Sequence, residues 1–481
     1  MKRFGKLTMA LIALIVTMSF IAFSCAGGAR GGAAFKSSYD VVIIGGGGAG
    51  LAAAIAAMEA GADVVVFEKM DIPGGNTIRA TGGINAAGTE FQARAGINDT
   101  PELFFTDTMR GGGNINDQAL VRIVAERSAS AVAWLVNMGA DLTDVGRMGG
   151  SSVNRTHRPT GGAQVGPELS MTLERHAIEV MGVPLILGAN VTAITTDRDG
   201  RVNGVELRFQ NRRHRVRANS VILATGGFGA NNDMAASLVP ELRGFATTNQ
   251  PGATGEGILM AQKIGADVVH MDQIQTHPTH APDKEMITEA VRGNGAIMVN
   301  RSGRRFVDEM GLRDVVSAAI LAQQGGSAFL VFDDSIRRSL AAIESYVRIG
   351  IVLEAQTPEA LGALIDSSMD RAVLAATIAT YNQAQASGND GEFNRSSMAR
   401  SLSVPPFYAI DVMPAIHHTM GGVRIDTETR VISTAGNIIP GFYAAGEVVG
   451  GIHGNNRLGG NALADIIVFG RIAGQNASAG R

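Results

Sequence analysis

The stretch YDVVIIGGGGAGLAAAIAAMEAGADVVVFEK, Tyr39 to Lys69, narrows the possible folds more than any other part of the chain. An apolar, β-branched strand, Val41 to Ile44, runs into a glycine turn, an Ala-rich helix and a second strand ending at Glu68. In the spacing Gly45-x-Gly47-x-x-Gly50 the first glycine permits the tight turn, the second admits a pyrophosphate to the backbone, and the third lets helix and strand pack closely. The first helical turn, around Ala49, offers unpaired N–H groups and the positive end of the helix dipole to that anion. An acid closing the second strand suits a ribose hydroxyl. Together these features predict a dinucleotide-binding βαβ unit, against the plainer reading of a glycine-rich structural turn.

At 481 residues the chain is long for one ordinary domain and sufficient for two. Apolar residues make up 45 %, enough for a large core. With 41 basic and 44 acidic residues the net charge is −3, and no basic excess points to nucleic acid. The 62 glycines exceed the usual share of ~7 %. They cluster in short runs, as turns do where backbone approaches a ligand.

The N-terminus, MKRFGK followed by an apolar run from Leu7 to Phe23, has the basic and apolar regions of a secretory signal. Cys25, after Ala22-Phe23-Ser24, resembles the lipidated cysteine of a bacterial lipoprotein; an uncleaved anchor is the alternative. The expectation is an exported protein, periplasmic or tethered as a lipoprotein on the outer side of the inner membrane. Residues 1–25 are then the signal segment and 26–37 a flexible spacer. Cys25 is the only cysteine, which excludes an intrachain disulfide, a Cys-ligated iron–sulfur cluster and C-x-x-C-H haem attachment. No metal site is expected, and redox chemistry here calls for an organic cofactor.

Two further strand patterns end in glycine turns, SVILATGGFG (Ser220 to Gly229) and GFYAAGEVVGG (Gly441 to Gly451). A nucleotide fold whose last strand returns near the C-terminus with Gly446-Glu447 resembles the two-dinucleotide-binding-domain flavoproteins. That resemblance implies FAD rather than NAD, with the Gly-Glu element touching the flavin. Only one complete glycine fingerprint is present, so no second nicotinamide site is expected. A different puzzle is TEAVRGNGAIMVNRSGRRFVDEMGLRD, Thr288 to Asp314, which packs five arginines among four acids. Such density ordinarily marks a solvated charge run, yet the apolar run Ala296 to Val299 interrupts it.

That stretch, with IQTHPTHAP (Ile274 to Pro282), AIHHTMGGVRID (Ala415 to Asp426) and GGIHGNNRLGGNALADIIVFGR (Gly450 to Arg471), carries a more specific resemblance. Over residues 38–478 the chain resembles the soluble, flavocytochrome c type branch of the succinate dehydrogenase/fumarate reductase flavoprotein family. The resemblance implies FAD-dependent reduction of an activated C=C, fumarate to succinate. Such a reaction needs a hydride, a proton and two fixed carboxylates. Arg457 matches the arginine that clamps one carboxylate, for which a bidentate guanidinium is suited. His417 matches its partner, and neighbouring His418 reads as structural. His277 and Thr288 match the groups holding the other carboxylate. Gly460 falls with the substrate-binding residues, and Met148 and Met286 would form apolar walls.

In the same resemblance the proton comes from an arginine in the context of Arg313, within GLRD, while Glu289 and Arg292 match the relay that re-protonates it. Arg301, Arg304 and Arg305 read as surface or structural charges. For the cofactor, Glu68 would meet the ribose. Asn76, Thr77, Gly82 and Gly83, within GGNTIRATGGINAA, would line the flavin with Val191, and Glu447, Ala462 and Leu463 would close over it. Membrane-bound relatives link FAD covalently through a histidine where this chain has Asn76, so noncovalent FAD is expected. No haem or FMN domain of the kind some relatives carry is expected, and the resemblance then implies a separate electron-donor protein such as a cytochrome. A urocanate, methacrylate or other enoate reductase, and a noncatalytic flavin-binding lipoprotein, are the alternatives. The expected fold is α/β: a Rossmann-like FAD-binding domain from residues 38–270 and 407–481, with an α+β capping domain inserted at 271–406.

Overall fold

The computed structural model describes residues 35–282, 285–395 and 397–480. The expected signal segment, Cys25 and residues 26–34 of the expected spacer lie outside the described residues. Among the described residues, no helix is long and apolar enough to cross a membrane.

Strand Ser38–Ile44 lies inside an eight-stranded sheet. It pairs in parallel with Val64–Phe67, Val41 opposite Val64, and with Arg212–Leu223, Val41 opposite Ser220. Leu185–Ile186 and Ile438–Ala444 extend the parallel order on either side. Val41, Val42 and Ile43 are fully buried, as befits a strand covered on both faces. An antiparallel hairpin, Asn190–Thr196 with Val202–Phe209, and the antiparallel edge strand Arg430–Ile432 complete the sheet.

Helix Gly48–Glu59 is buried from Gly48 to Ala57 because small side chains let a second helix, Asn461–Ala479, lie directly against it. Glycine sets the spacing there. A Cβ at Gly474 would lie 2.2 Å from the Ala53 carbonyl oxygen, and one at Gly470 would lie 2.7 Å from that of Ala49. The turn before Gly48 also needs its glycines. Gly45 has φ +108°, and a Cβ on Gly50 would lie 1.9 Å from the Gly45 carbonyl.

A second, antiparallel sheet runs in the order Ile274–His280, Phe407–Thr419, Ala328–Asp333, Ile297–Val299, with Leu353–Ala355 also paired to Phe407–Thr419. The long strand Phe407–Thr419 starts beside Ala328–Asp333 and ends beside Ile274–His280, carrying His417 and His418 to its far end. Helices Arg313–Leu321, Ala342–Arg348, Pro358–Ile365 and Arg371–Ser387 accompany this sheet. Ile297, Leu330, Phe332, Tyr346 and Tyr381 share one buried cluster in this region. The architecture is the expected α/β fold, a Rossmann-like sheet with an inserted α+β part.

The dense charges of Thr288–Asp314 are not a solvated run. Glu289, Arg292, Arg305, Glu309 and Arg313 are all buried, each provided with an opposite charge inside the protein. Arg305 is a structural ion in this sense, paired with Glu309 and Asp390, while Arg304 is exposed.

Candidate active site

A cavity of about 790 Å³ begins at the glycine turn and ends between the two sheets. At the turn it is lined by Gly45, Gly47 and Ala49. A Cβ on Gly47 would meet nothing closer than the Gly74 carbonyl at 3.9 Å, so backbone faces open space there. Gly50 is not part of the lining; its role is to let the helix close on Gly45. Glu68 lines the cavity while accepting from Gly46 N at 2.7 Å and Met70 N at 2.8 Å. A helix N-terminus, a backbone free of side chains and an acid at the strand end fit the pyrophosphate and ribose of FAD.

Further in, the lining includes Asn76, Thr77, Gly82, Gly83, Val191, Glu447, Ala462 and Leu463. Thr77 Oγ1 accepts from Gly48 N at 3.1 Å, which ties this segment to the glycine turn. Asn76 Nδ2 donates to Asn249 Oδ1 at 2.6 Å and to Glu447 Oε2 at 3.2 Å, and its Oδ1 accepts from Gln250 N at 2.9 Å. Burial raises the Glu447 carboxyl, outweighing the hydrogen bonds from Thr419 and Asn76. Among the described residues, no group of three or more His, Cys, Asp and Glu side chains is arranged to hold a metal ion.

The inner end of the cavity collects His277, His417, Arg313, Arg457, Glu289, Met148, Met286 and Gly460. Strand Ile274–His280 carries His277, the end of Phe407–Thr419 carries His417, and helix Arg313–Leu321 starts at Arg313, while Glu289 and Arg457 come from the segments just before helices Ala290–Gly293 and Asn461–Ala479. His277 and His417 lie with ring centroids 5.0 Å apart. Burial, with Arg313 next, lowers both well below the ordinary histidine value, so both are neutral. His277 Nδ1 accepts from Thr279 N at 3.3 Å, which leaves its proton on Nε2 for a ligand. His417 Nδ1 shares a 2.7 Å hydrogen bond with Thr248 Oγ1.

The two cations differ in their company. Arg313 Nε and Nη2 contact Glu289 Oε2 at 2.9 and 2.8 Å, and Nη1 donates to Gln275 Oε1 at 3.1 Å. Among the described residues Arg457 has only a backbone bond, Nη1 to Leu458 O at 3.0 Å, and its Nε has no partner. Burial, with the Arg313 charge next, pushes Arg457 down to about 9. A buried guanidinium without a carboxylate is costly unless a ligand supplies the anion. Arg313 is the first residue of its helix, so the positive end of the helix dipole adds to the same potential. The arrangement favours an anion and any negative charge that develops on it.

Glu289 is the hinge of this network. Its Oε1 accepts from Gly149 N at 2.6 Å, and Arg292 Nη2 stands 3.8 Å from its Oε2. Burial raises the Glu289 carboxyl, but Arg313, Arg292 and the Gly149 N–H outweigh it and hold the group below the ordinary carboxylate range. Arg292 does not reach the cavity; it is 1 % exposed and donates from Nη1 to Glu309 O at 2.7 Å. Thr288 is also outside the lining, its N bonded to Tyr346 Oη at 3.0 Å and its Oγ1 accepting from Ala290 N at 3.3 Å.

Some neighbours escaped the sequence reading. Gln275 joins Arg313 to the Arg457 carbonyl, to which its Nε2 donates at 2.7 Å. Its position two residues before His277 on the same strand face was the available signal. Thr248 and Asn249, in a loop without a motif, gave none. His418, read as structural, lines the same cavity, with Nδ1 3.6 Å from Glu447 Oε1.

Residues 40–463 match the family described as the FAD binding domain. The chain is 49 % identical to a fumarate reductase (cytochrome) of Shewanella frigidimarina over 441 residues, 91 % of this chain and 77 % of that protein. It is 45 % identical to an NADH:fumarate oxidoreductase of Klebsiella pneumoniae, covering 93 % of this chain and 48 % of that one. The open conformation of a flavocytochrome c3 fumarate reductase superposes with a TM-score of 0.77 at 42 % identity, covering 93 % of this chain and 79 % of that chain. The glycine cradle, the cavity and these likenesses agree: the chain is an FAD-binding oxidoreductase and belongs to the flavoprotein family that includes the soluble fumarate reductases.

Proposed function

We propose that the protein reduces fumarate to succinate. The observation that carries this reading is Arg457, buried and without an anionic partner, facing two neutral histidines in a cavity continuous with the FAD cradle. Bound and reduced, FAD supplies the hydride. The chain's residues do the rest. Arg457 and His417 hold one carboxylate, and His277 holds the other; Thr288, outside the lining, would reach that carboxylate only by a local rearrangement. Hydrogen bonds there turn that carboxylate from the plane of the C=C and leave the bond a better hydride acceptor. Met148 and Met286 exclude water.

As negative charge develops on the carbon next to the second carboxylate, Arg313 stabilises it and then gives up one guanidinium proton to it. A guanidinium is an unusual acid, and two features support the assignment. Its charge is present before the transition state, and the Glu289 carboxylate sits on Nε and Nη2, placed to pass Arg313 a proton that the relay takes up from solvent. Arg292, beside Glu289, is the next group of the relay. Residues 271–406 act as a cap on an FAD domain made of 38–270 and 407–481. Asn76 offers no histidyl link, so the FAD is held noncovalently. Export rests on the N-terminal segment, with a separate protein delivering electrons. The test is anaerobic oxidation of reduced methyl viologen with a panel of enoates. Fumarate should be the fastest; faster turnover of urocanate or methacrylate would move the assignment to a sibling reductase.

A further inference from the structure

Arg292 sits in a four-residue helix, Ala290–Gly293, too short to hold its own shape. Its restraint comes from far along the chain. Arg395 Nη2 donates to the Arg292 carbonyl at 2.7 Å, Nη1 to Ala296 O at 2.9 Å and Glu309 Oε2 at 3.0 Å, and Nε to Ser397 O at 2.8 Å. Glu309 acts from the other side, its carbonyl accepting from Arg292 Nη1 at 2.7 Å. Backbone and guanidinium of Arg292 are thus both pinned.

Arg395 and Glu309 belong to a buried quartet. Arg305 donates to both Glu309 carboxylate oxygens at 2.8 Å and to Asp390 Oδ2 at 2.9 Å. All four side chains are 1 % exposed or less. Taking two positive and two negative charges out of water is costly, and packed apolar residues often stabilise such a region as well. Another role fits the geometry. Arg292 Nη2 stops 3.8 Å from Glu289 Oε2, the oxygen that Arg313 Nε and Nη2 already use. Were Arg292 to close in, two guanidiniums would compete for one oxygen.

We infer that Arg395 and Glu309 are positioning residues for the proton relay, holding Arg292 at a set distance from Glu289 so that Glu289 serves Arg313. The inference rests on the Arg313–Glu289 route proposed above. Neither residue lines the cavity, so neither touches substrate or cofactor.

The experiment uses FAD-loaded Arg395→Lys and Glu309→Gln. Arg395→Lys keeps the charge but has three donors on a single atom for the four acceptors that the guanidinium spans, and Glu309→Gln keeps the volume. Expected are unchanged FAD content, unchanged reduction of the FAD by viologen, and a fumarate KM within about twofold. With them, kcat should fall about 10- to 100-fold, the scale of a small misplacement, and the solvent deuterium isotope effect on kcat should rise. Should Arg395→Lys lose its FAD, Glu309→Gln carries the test with the same expectation. Unaltered kcat and isotope effect in a loaded variant overturn the inference, as does loss of FAD by both variants, which would make the quartet plain core. A wild type that does not reduce fumarate overturns the route beneath it as well.

Discussion

Arg457 and Arg313 lie in one cavity yet should fail differently when removed. Arg457 has a free guanidinium face before any substrate arrives, so Arg457→Ala should raise the fumarate KM by at least about tenfold and lower kcat as well, as expected for a charge-assisted bond of roughly 1.5–3 kcal/mol. Steady-state kinetics with a viologen donor decide this; an unchanged KM would remove Arg457 from the carboxylate site. Glu289→Gln should slow turnover less than loss of Arg313, because the donor stays in place while its re-protonation is hindered. At this scale the sequence was most readable where a residue type has one use. A histidine or arginine inside a named motif pointed to its site, and His277, His417, Arg313 and Arg457 do converge. Gln275 was less readable, because its spacing from His277 was the one hint and only the fold brings it between two arginines.

The helix pair behind the nucleotide cradle offers an element-scale test in which two effects oppose each other. By intrinsic propensity, Gly474→Ala in the helix Asn461–Ala479 should stabilise by about 1 kcal/mol. The added Cβ would, however, lie 2.2 Å from the Ala53 carbonyl, backbone that cannot rotate away. Overpacking of this kind costs about 1–3 kcal/mol, and the close contact should win. Thermal unfolding should show a lower Tm for Gly474→Ala and weaker FAD retention, since the partner helix begins at the cradle. A raised Tm would mean that the two helices are not held as described. The βαβ unit was legible because strand, glycine turn and helix are local patterns. The antiparallel sheet was less so. Its strands come from Ile274–His280, Ile297–Val299, Ala328–Asp333, Leu353–Ala355 and Phe407–Thr419, and no local signal states which distant strands pair. The charged stretch was only partly legible for a related reason, since density of charge does not reveal that Arg305, Glu309, Asp390 and Arg395 neutralise one another inside.

For the molecule as a whole, buried neutral histidines set an acid limit. Burial lowers His157 to about 4 and, together with nearby arginines, lowers His277, His417 and His418 well below their ordinary value. Unfolded, each binds a proton near its usual value of about 6.5. Below that pH the unfolded state holds more protons, so stability falls as pH drops through about 6.5 toward the folded values, by up to about 1.4 kcal/mol per pH unit for each group. Urea midpoints of the FAD-loaded protein should therefore be lower at about pH 5.5 than at about pH 7.5; equal midpoints would contradict neutral, buried rings. Acid precipitation should also release all FAD into the supernatant, and flavin left in the pellet would contradict noncovalent binding at Asn76. In the proposed mechanism one cavity joins an FAD cradle to a site where Arg313 delivers the proton. The most direct test of that mechanism is viologen-linked fumarate reduction by Arg313→Ala, with flavin content measured on the same sample. Full FAD occupancy with turnover reduced by more than about 10²-fold is the result expected for loss of a general acid and its charge; an FAD-loaded variant that keeps more than about a tenth of wild-type turnover would contradict it.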